Sequence, residues 1–211
     1  MRRGILGGTF DPVHTGHLIL AQEMLWRLGL DQMVFIPAGL PWMKREGELT
    51  SKNHRREMVQ RAIAGDPRFS CSSIELDRPG ETYTVDTLEE LRAGDMVSDE
   101  LLLVMGVDTL NTMHRWKNPG RILEIARLAV AIRPGHQGMD LRELEAIDPT
   151  AGERIMSVRM PLIEISGTEL RRRVRVGEPV RYLVPTAVAE YIEEHGLYRG
   201  DRTTALAGTG A

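Results

Sequence analysis

The chain has 211 residues, 42% of them hydrophobic, with a formal net charge of −3 at pH 7 and a single cysteine, Cys71. That length buries one good core, so one domain is expected, and the near-balanced charge leaves neither a nucleic-acid footprint nor an acidic solvating tail. One cysteine excludes an intrachain disulfide; with no secretory signal and no apolar run near the roughly 18 residues that span a bilayer, a reducing cytoplasmic compartment is expected, without membrane or nucleic-acid partners.

Ile5-Leu6 reads as a buried strand, and Leu18, Ala21, Leu25 and Leu28 recur at helical spacing. The stretch between them, Gly7-Gly8-Thr9-Phe10-Asp11-Pro12-Val13-His14-Thr15-Gly16-His17, is therefore a strand-to-helix crossing. Gly7 and Gly8 let backbone approach a ligand, Pro12 stiffens the turn, and Thr15 is the expected N-cap, so free amides and a positive dipole end would face an anion. His14 and His17 would lie on one side of the first turn. Two other readings stand beside phosphate binding: surface or capping histidines, and a zinc site shared with Asp11, which no cysteine cluster or further histidine completes. The chain has neither the Walker phosphate loop nor the Rossmann glycine fingerprint.

Further along, Met33–Ile36 reads as a strand, His54–Ala64 as a helix, Phe69–Ile74 as a strand and Thr84–Leu91 as a helix. Leu101–Met105 and Leu128–Ile132 are almost unbroken apolar runs, as expected of central strands covered on both faces. Alternation of this kind predicts a parallel sheet, in which ligands sit at the carboxyl ends of the strands. Gly7-Gly8, Pro37, Asp108, Arg133 and Ser166 each follow an apolar run, so one cleft could collect them. The segment 39–52 suits a mobile loop over that cleft, and 200–211, small and without periodicity, reads as a disordered tail behind a domain of residues 1–199.

Ile165-Ser166-Gly167-Thr168-Glu169-Leu170-Arg171 opens a helix with hydroxyls and amides and projects an arginine; by itself it reads first as a capped helix with a solvated basic face and second as a phosphate contact. Thr82–Leu88 is another helix start. Asp108 reads as an N-cap or a ligand contact, Trp116 as core or a stacking surface, and Arg133-Pro134-Gly135 as a strand-ending turn or a nucleotide contact.

The eleven-residue glycine-histidine stretch resembles the Thr/His-x-Gly-His signature of the nucleotidyltransferase superfamily, in the longer form of bacterial nicotinate-nucleotide adenylyltransferases, and the likeness runs from about Gly4 to Arg199. It implies an α/β fold, Rossmann-like, with an open, mainly parallel sheet, helices on both faces and a single domain. It implies adenylyl transfer from ATP to nicotinate mononucleotide, giving deamido-NAD and pyrophosphate, with Mg²⁺ carried by ATP and room for a homo-oligomer. His14, His17, Lys44 and Arg171 would be catalytic; Gly7, Gly8, Thr9, Phe10, Asp108, Arg133, Ser166 and Thr168, with His17 and Arg171, would bind ATP. Tyr83, Thr84, Trp116 and Lys44 would bind the mononucleotide, backbone near Thr84 meeting the carboxylate and Trp116 stacking on the ring. No resident metal site is implied. Two positions depart from the family pattern, Met43 for a histidine and Gly167 for a serine; Gly-Leu-Tyr at 196–198 matches a structural ending. Rival readings are an enzyme that adenylylates phosphopantetheine or FMN, and a non-catalytic nucleotide sensor.

Overall fold

The computed structural model describes residues 1–41, 49–133, 135 and 138–199. In chain order the elements are β1 (Arg2–Gly8), α1 (Thr15–Leu28), β2 (Gln32–Pro37), β3 (Leu40–Pro41), α2 (Lys52–Ile63), β4 (Phe69–Cys71), α3 (Ile74–Asp77), β5 (Glu81–Thr82) and α4 (Thr84–Ala93). Then come β6 (Glu100–Gly106), α5 (Val107–Thr112), α6 (Pro119–Ile125), β7 (Arg127–Ile132), α7 (Arg142–Glu145), β8 (Ile155–Arg159), α8 (Gly167–Val176) and α9 (Thr186–Glu194).

Six strands form one parallel sheet in the order β4-β2-β1-β6-β7-β8, and β3 pairs with β5 in a small parallel ribbon beside it. The chain builds outward from β1 to β2 and β4, then returns to the other side of β1 to lay down β6, β7 and β8. The reversal leaves a crevice at the carboxyl ends of β1 and β6, where no crossover covers the sheet. The expected pair of apolar runs forms β6 and β7, with β6 beside β1 at the centre.

Side chains alternate between two cores, as a doubly covered sheet requires. Leu6, Phe35, Leu102, Val104 and Ala129 face one way and pack beneath α1, α2, α8 and α9. Ile5, Val34, Ile36, Leu103, Met105 and Val130 face the other and pack beneath α4, α5 and α6.

Local boundaries correct two expectations. The N-cap of α1 is His14, in an extended conformation, and Thr15 is the first helical residue; its hydroxyl donates to the Tyr182 carbonyl at 3.1 Å. The strand expected over Phe69–Ile74 stops at Cys71, because Ile74 already begins the short helix α3. Within 39–52, residues 39–41 and 49–52 end in β3 and start α2, while 42–48 lie outside the described residues, as does the tail 200–211. Among the described residues no helix is long and apolar enough to cross a membrane.

Candidate active site

Register brings the site together. Gly8 at the end of β1 pairs with Pro37 of β2, and Gly106 at the end of β6 pairs with Ala131 of β7, so four strands finish along one edge. Two cavities open there, one of about 390 Å³ and one of about 160 Å³. They share His17, Leu20, Gly106 and Arg133 as a common wall.

His17 is fixed from below and from the side. Phe10, only 1% exposed, lies under it with ring centroids 5.0 Å apart, edge to face, and His14 stacks on it at 3.7 Å. The His14 amide donates to His17 Nδ1 at 3.2 Å. An accepting Nδ1 leaves the proton of the neutral ring on Nε2, so His17 keeps one donor for a ligand. Burial, with help from its neighbours His14 and Arg133, holds the His17 pKa well below the ordinary value; burial and then Arg133 lower that of His14 to about 4. Both rings are thus neutral at pH 7. His14 Nδ1 is buried without a hydrogen-bond partner among the described residues.

Gly7, Gly8 and Thr9 line the larger cavity, and at Gly7 no atom lies within 4 Å of where a Cβ would stand. At its far end the N-terminus of α4 presents Tyr83 and Thr84, opposite Trp116 and Lys117. Lys117 Nζ lies 2.8 Å from each oxygen of Asp86. Among the described residues Arg133 has no carboxylate partner, which leaves its charge for a ligand on the shared wall.

Other predicted residues lie elsewhere. Phe10 belongs to the core and its ring is at neither cavity wall. Asp108 is exposed on the first turn of α5, where Thr109 rather than Asp108 lines the cavity. Ser166 caps α8, its hydroxyl accepting from the Glu169 amide at 3.2 Å, and Arg171 donates to the Asp11 carbonyl at 2.6 Å and faces Thr168 at 3.4 Å. The second motif therefore docks on the first instead of entering a cavity by itself; only Ile165 reaches the wall of the smaller one. A Cβ at Gly167 would stand 2.9 Å from the Asp11 carbonyl oxygen, so the departure from serine matches this close approach. Met43, Lys44 and Pro134 lie outside the described residues.

Sequence reasoning missed what holds the motif loop. Asp11, 3% exposed, accepts from the Tyr198 hydroxyl at 2.6 Å and from the Thr50 amide at 3.1 Å. That commits both its oxygens away from the histidines and removes the third ligand of the zinc reading. Burial and the Asp11 charge together raise the Tyr198 pKa, keeping the phenol a donor. Arg55, 2% exposed, donates to the carbonyls of Thr9, Ala38, Gly39 and Thr50. One guanidinium thus ties the ends of β1 and β2 to the start of α2. Its only sequence signal, a basic run at the head of an amphipathic helix, reads as solvated surface. Cys71 is half-buried with its thiol pushed up to about 11 by burial, which makes it a poor nucleophile.

Residues 5–173 match the family described as cytidylyltransferase-like. A protein of Thermomicrobium roseum named probable nicotinate-nucleotide adenylyltransferase is 46% identical over 198 residues, 94% of this chain and 92% of its own length. A protein of the same name from Roseiflexus is 45% identical, over 93% of this chain and 97% of its own. Among solved structures, Plasmodium falciparum nicotinic acid mononucleotide adenylyltransferase complexed with NaAD is similar with a TM-score of 0.74 at 18% identity, over 93% of this chain and 97% of that one. That last likeness is one of fold: a Rossmann-like α/β domain.

Proposed function

We infer the reaction from one premise: the chain belongs to the cytidylyltransferase-like family and, within it, to the nicotinate-nucleotide adenylyltransferases. It is a nucleotidyltransferase of NAD biosynthesis that joins the adenylyl group of ATP to nicotinate mononucleotide, forming deamido-NAD and pyrophosphate. The observation that carries this reading in the structure is the pair of adjoining cavities whose shared wall holds His17 and Arg133. Two compartments meeting at one donor and one cation suit two nucleotides that must be joined through phosphate.

In this reading the larger cavity takes the mononucleotide, its ring on Trp116 and its carboxylate at the N-terminus of α4 near Tyr83 and Thr84, where the helix dipole favours an anion over a neutral amide. The smaller cavity takes the adenine end of ATP, and Gly7, Gly8 and Thr9 bring backbone to the phosphates. The 5′-phosphate oxygen of the mononucleotide attacks the α-phosphorus in line; the new O–P bond forms as the α–β bond breaks, and pyrophosphate leaves with the electron pair. A phosphate monoester with a second pKa of about 6 is already dianionic near pH 7, so no general base is required. Catalysis then rests on positioning and on fixed positive potential. His17 Nε2–H donates to the α-phosphate and Arg133 neutralises charge beside it. His14 lines the smaller cavity beside that wall; from the family likeness, Lys44, Ser166, Thr168 and Arg171 are the further phosphate contacts and Asp108 a further ATP contact. Mg²⁺ would arrive on the ATP phosphates and would offset the charge that builds on the leaving pyrophosphate.

The test is pyrophosphate release with ATP and a panel of nicotinate, nicotinamide, flavin and pantetheine phosphates. Fastest release with nicotinate mononucleotide is expected. Faster release with the flavin or pantetheine phosphate would move the acceptor assignment, and none with any acceptor would favour a nucleotide sensor.

A further inference from the structure

We propose that Lys117 is a specificity-determining residue: by pairing with Asp86 it cancels a negative charge at the helix end that meets the pyridine ring, and so admits a ring carboxylate. This rests on the larger cavity being the mononucleotide site. Asp86 is the acidic residue in the first turn of α4, two positions after Thr84. A carboxylate there competes for the positive end of the dipole with any anion brought by a ligand. Unpaired, it would repel the nicotinate group and be indifferent to the uncharged nicotinamide group.

Lys117 comes from across the cavity mouth, directly after Trp116, and lines the cavity itself. Its ammonium sits 2.8 Å from both Asp86 oxygens and 4.8 Å from the centroid of the Tyr83 ring. The Tyr83 hydroxyl in turn donates to Glu81 at 2.5 Å. The pair is solvent-accessible, with 49% and 33% of the two side chains exposed, so it adds little to folding stability. Its consequence is local charge at the ring end. Asp86 itself stands behind Lys117 and outside the cavity lining; the carboxylate that lines the cavity, Glu75, accepts from the Thr87 hydroxyl at 2.8 Å, to which Arg78 also donates, so it too has a cation close by.

The experiment compares kcat/KM for nicotinate and nicotinamide mononucleotides in the intact protein, Lys117→Met, and the double variant Asp86→Asn/Lys117→Met. Lys117→Met should lower the nicotinate-to-nicotinamide ratio about tenfold, and the double variant should bring it back to within about threefold of the parent. A ratio that stays low in the double variant would mean that Lys117 attracts the carboxylate directly, which overturns the proposal. So would a ratio that Lys117→Met leaves unmoved. If the parent adenylylates neither pyridine nucleotide, it is the assignment of the reaction that fails, and this inference with it.

Discussion

At the scale of the residue, His17 owes its usefulness to three restraints that the sequence shows only in part. The Phe10 edge and the His14 ring fix its plane, and the His14 amide fixes its tautomer by occupying Nδ1. A donor locked at Nε2 needs no reorganisation when charge develops on the α-phosphate, which is why its loss should be costly. His17→Ala is expected to lower kcat by about 100-fold or more, by the scale of a single lost oxyanion donor. The position of the donor can be tested separately. A glutamine amide nitrogen falls near the Nε2 position and an asparagine nitrogen near Nδ1, so His17→Gln should retain more turnover than His17→Asn. Equal losses in the two variants, each folded by circular dichroism, would remove Nε2 as the donor.

At the scale of the element, periodicity showed most of what was needed: the buried strands β1, β2, β6 and β7 and the helices α1, α2 and α4 lie within a few residues of where apolar spacing put them. Boundaries set by polar side chains were less legible. His14, not Thr15, caps α1, because the cap is chosen by a backbone turn that its own sequence does not advertise. Arg55 was invisible for a different reason: binary patterning assigns arginine to the surface, and only the tertiary meeting of four carbonyls makes a buried guanidinium stable. Likewise the family resemblance named Arg171 as a phosphate ligand, whereas its hydrogen bond to the Asp11 carbonyl and the close approach at Gly167 arise from packing α8 against the first motif. The clamp at the head of α2 yields a prediction. Arg55→Leu keeps much of the volume but strands the carbonyls of Thr9, Ala38, Gly39 and Thr50, and unsatisfied buried acceptors cost about 1–3 kcal/mol each where water cannot reach them. We expect a loss of about 3 kcal/mol or more in urea unfolding, and Arg55→Lys, lacking the planar fork, should recover only part of it. A loss below about 1 kcal/mol would show that the clamp is not what joins α2 to the motif loop.

At the scale of the whole molecule, the site draws on folding stability, and pH exposes how much. His14 has a folded pKa of about 4 against an ordinary 6.5, so above 6.5 it is neutral whether folded or unfolded and its titration contributes no slope. Below 6.5 the unfolded chain takes up a proton that the buried ring refuses, so stability falls as the pH drops and levels off only near 4. At about 1.4 kcal/mol per unit the full window is worth about 3 kcal/mol from this one ring, and His17, lowered in the same direction, steepens it. The surface carboxylates of Asp140 and Glu169, held down to about 2 by Arg142 and Arg172, lose their contribution only at lower pH and do not mask the effect. Urea midpoints between pH 7 and pH 4.5 should therefore decline in the parent and decline less in His14→Gln. The function predicts a further difference. Anionic phosphate beside the two imidazoles favours their charged forms and raises both pKa values toward the ordinary one, so saturating ATP should flatten the acid slope of the parent. By linkage, the stabilisation that ATP confers must grow as the pH falls from 6.5 toward 5. An ATP effect constant across that range would separate the two histidines from the phosphates, and with them the catalytic wall on which the two nucleotides are proposed to meet.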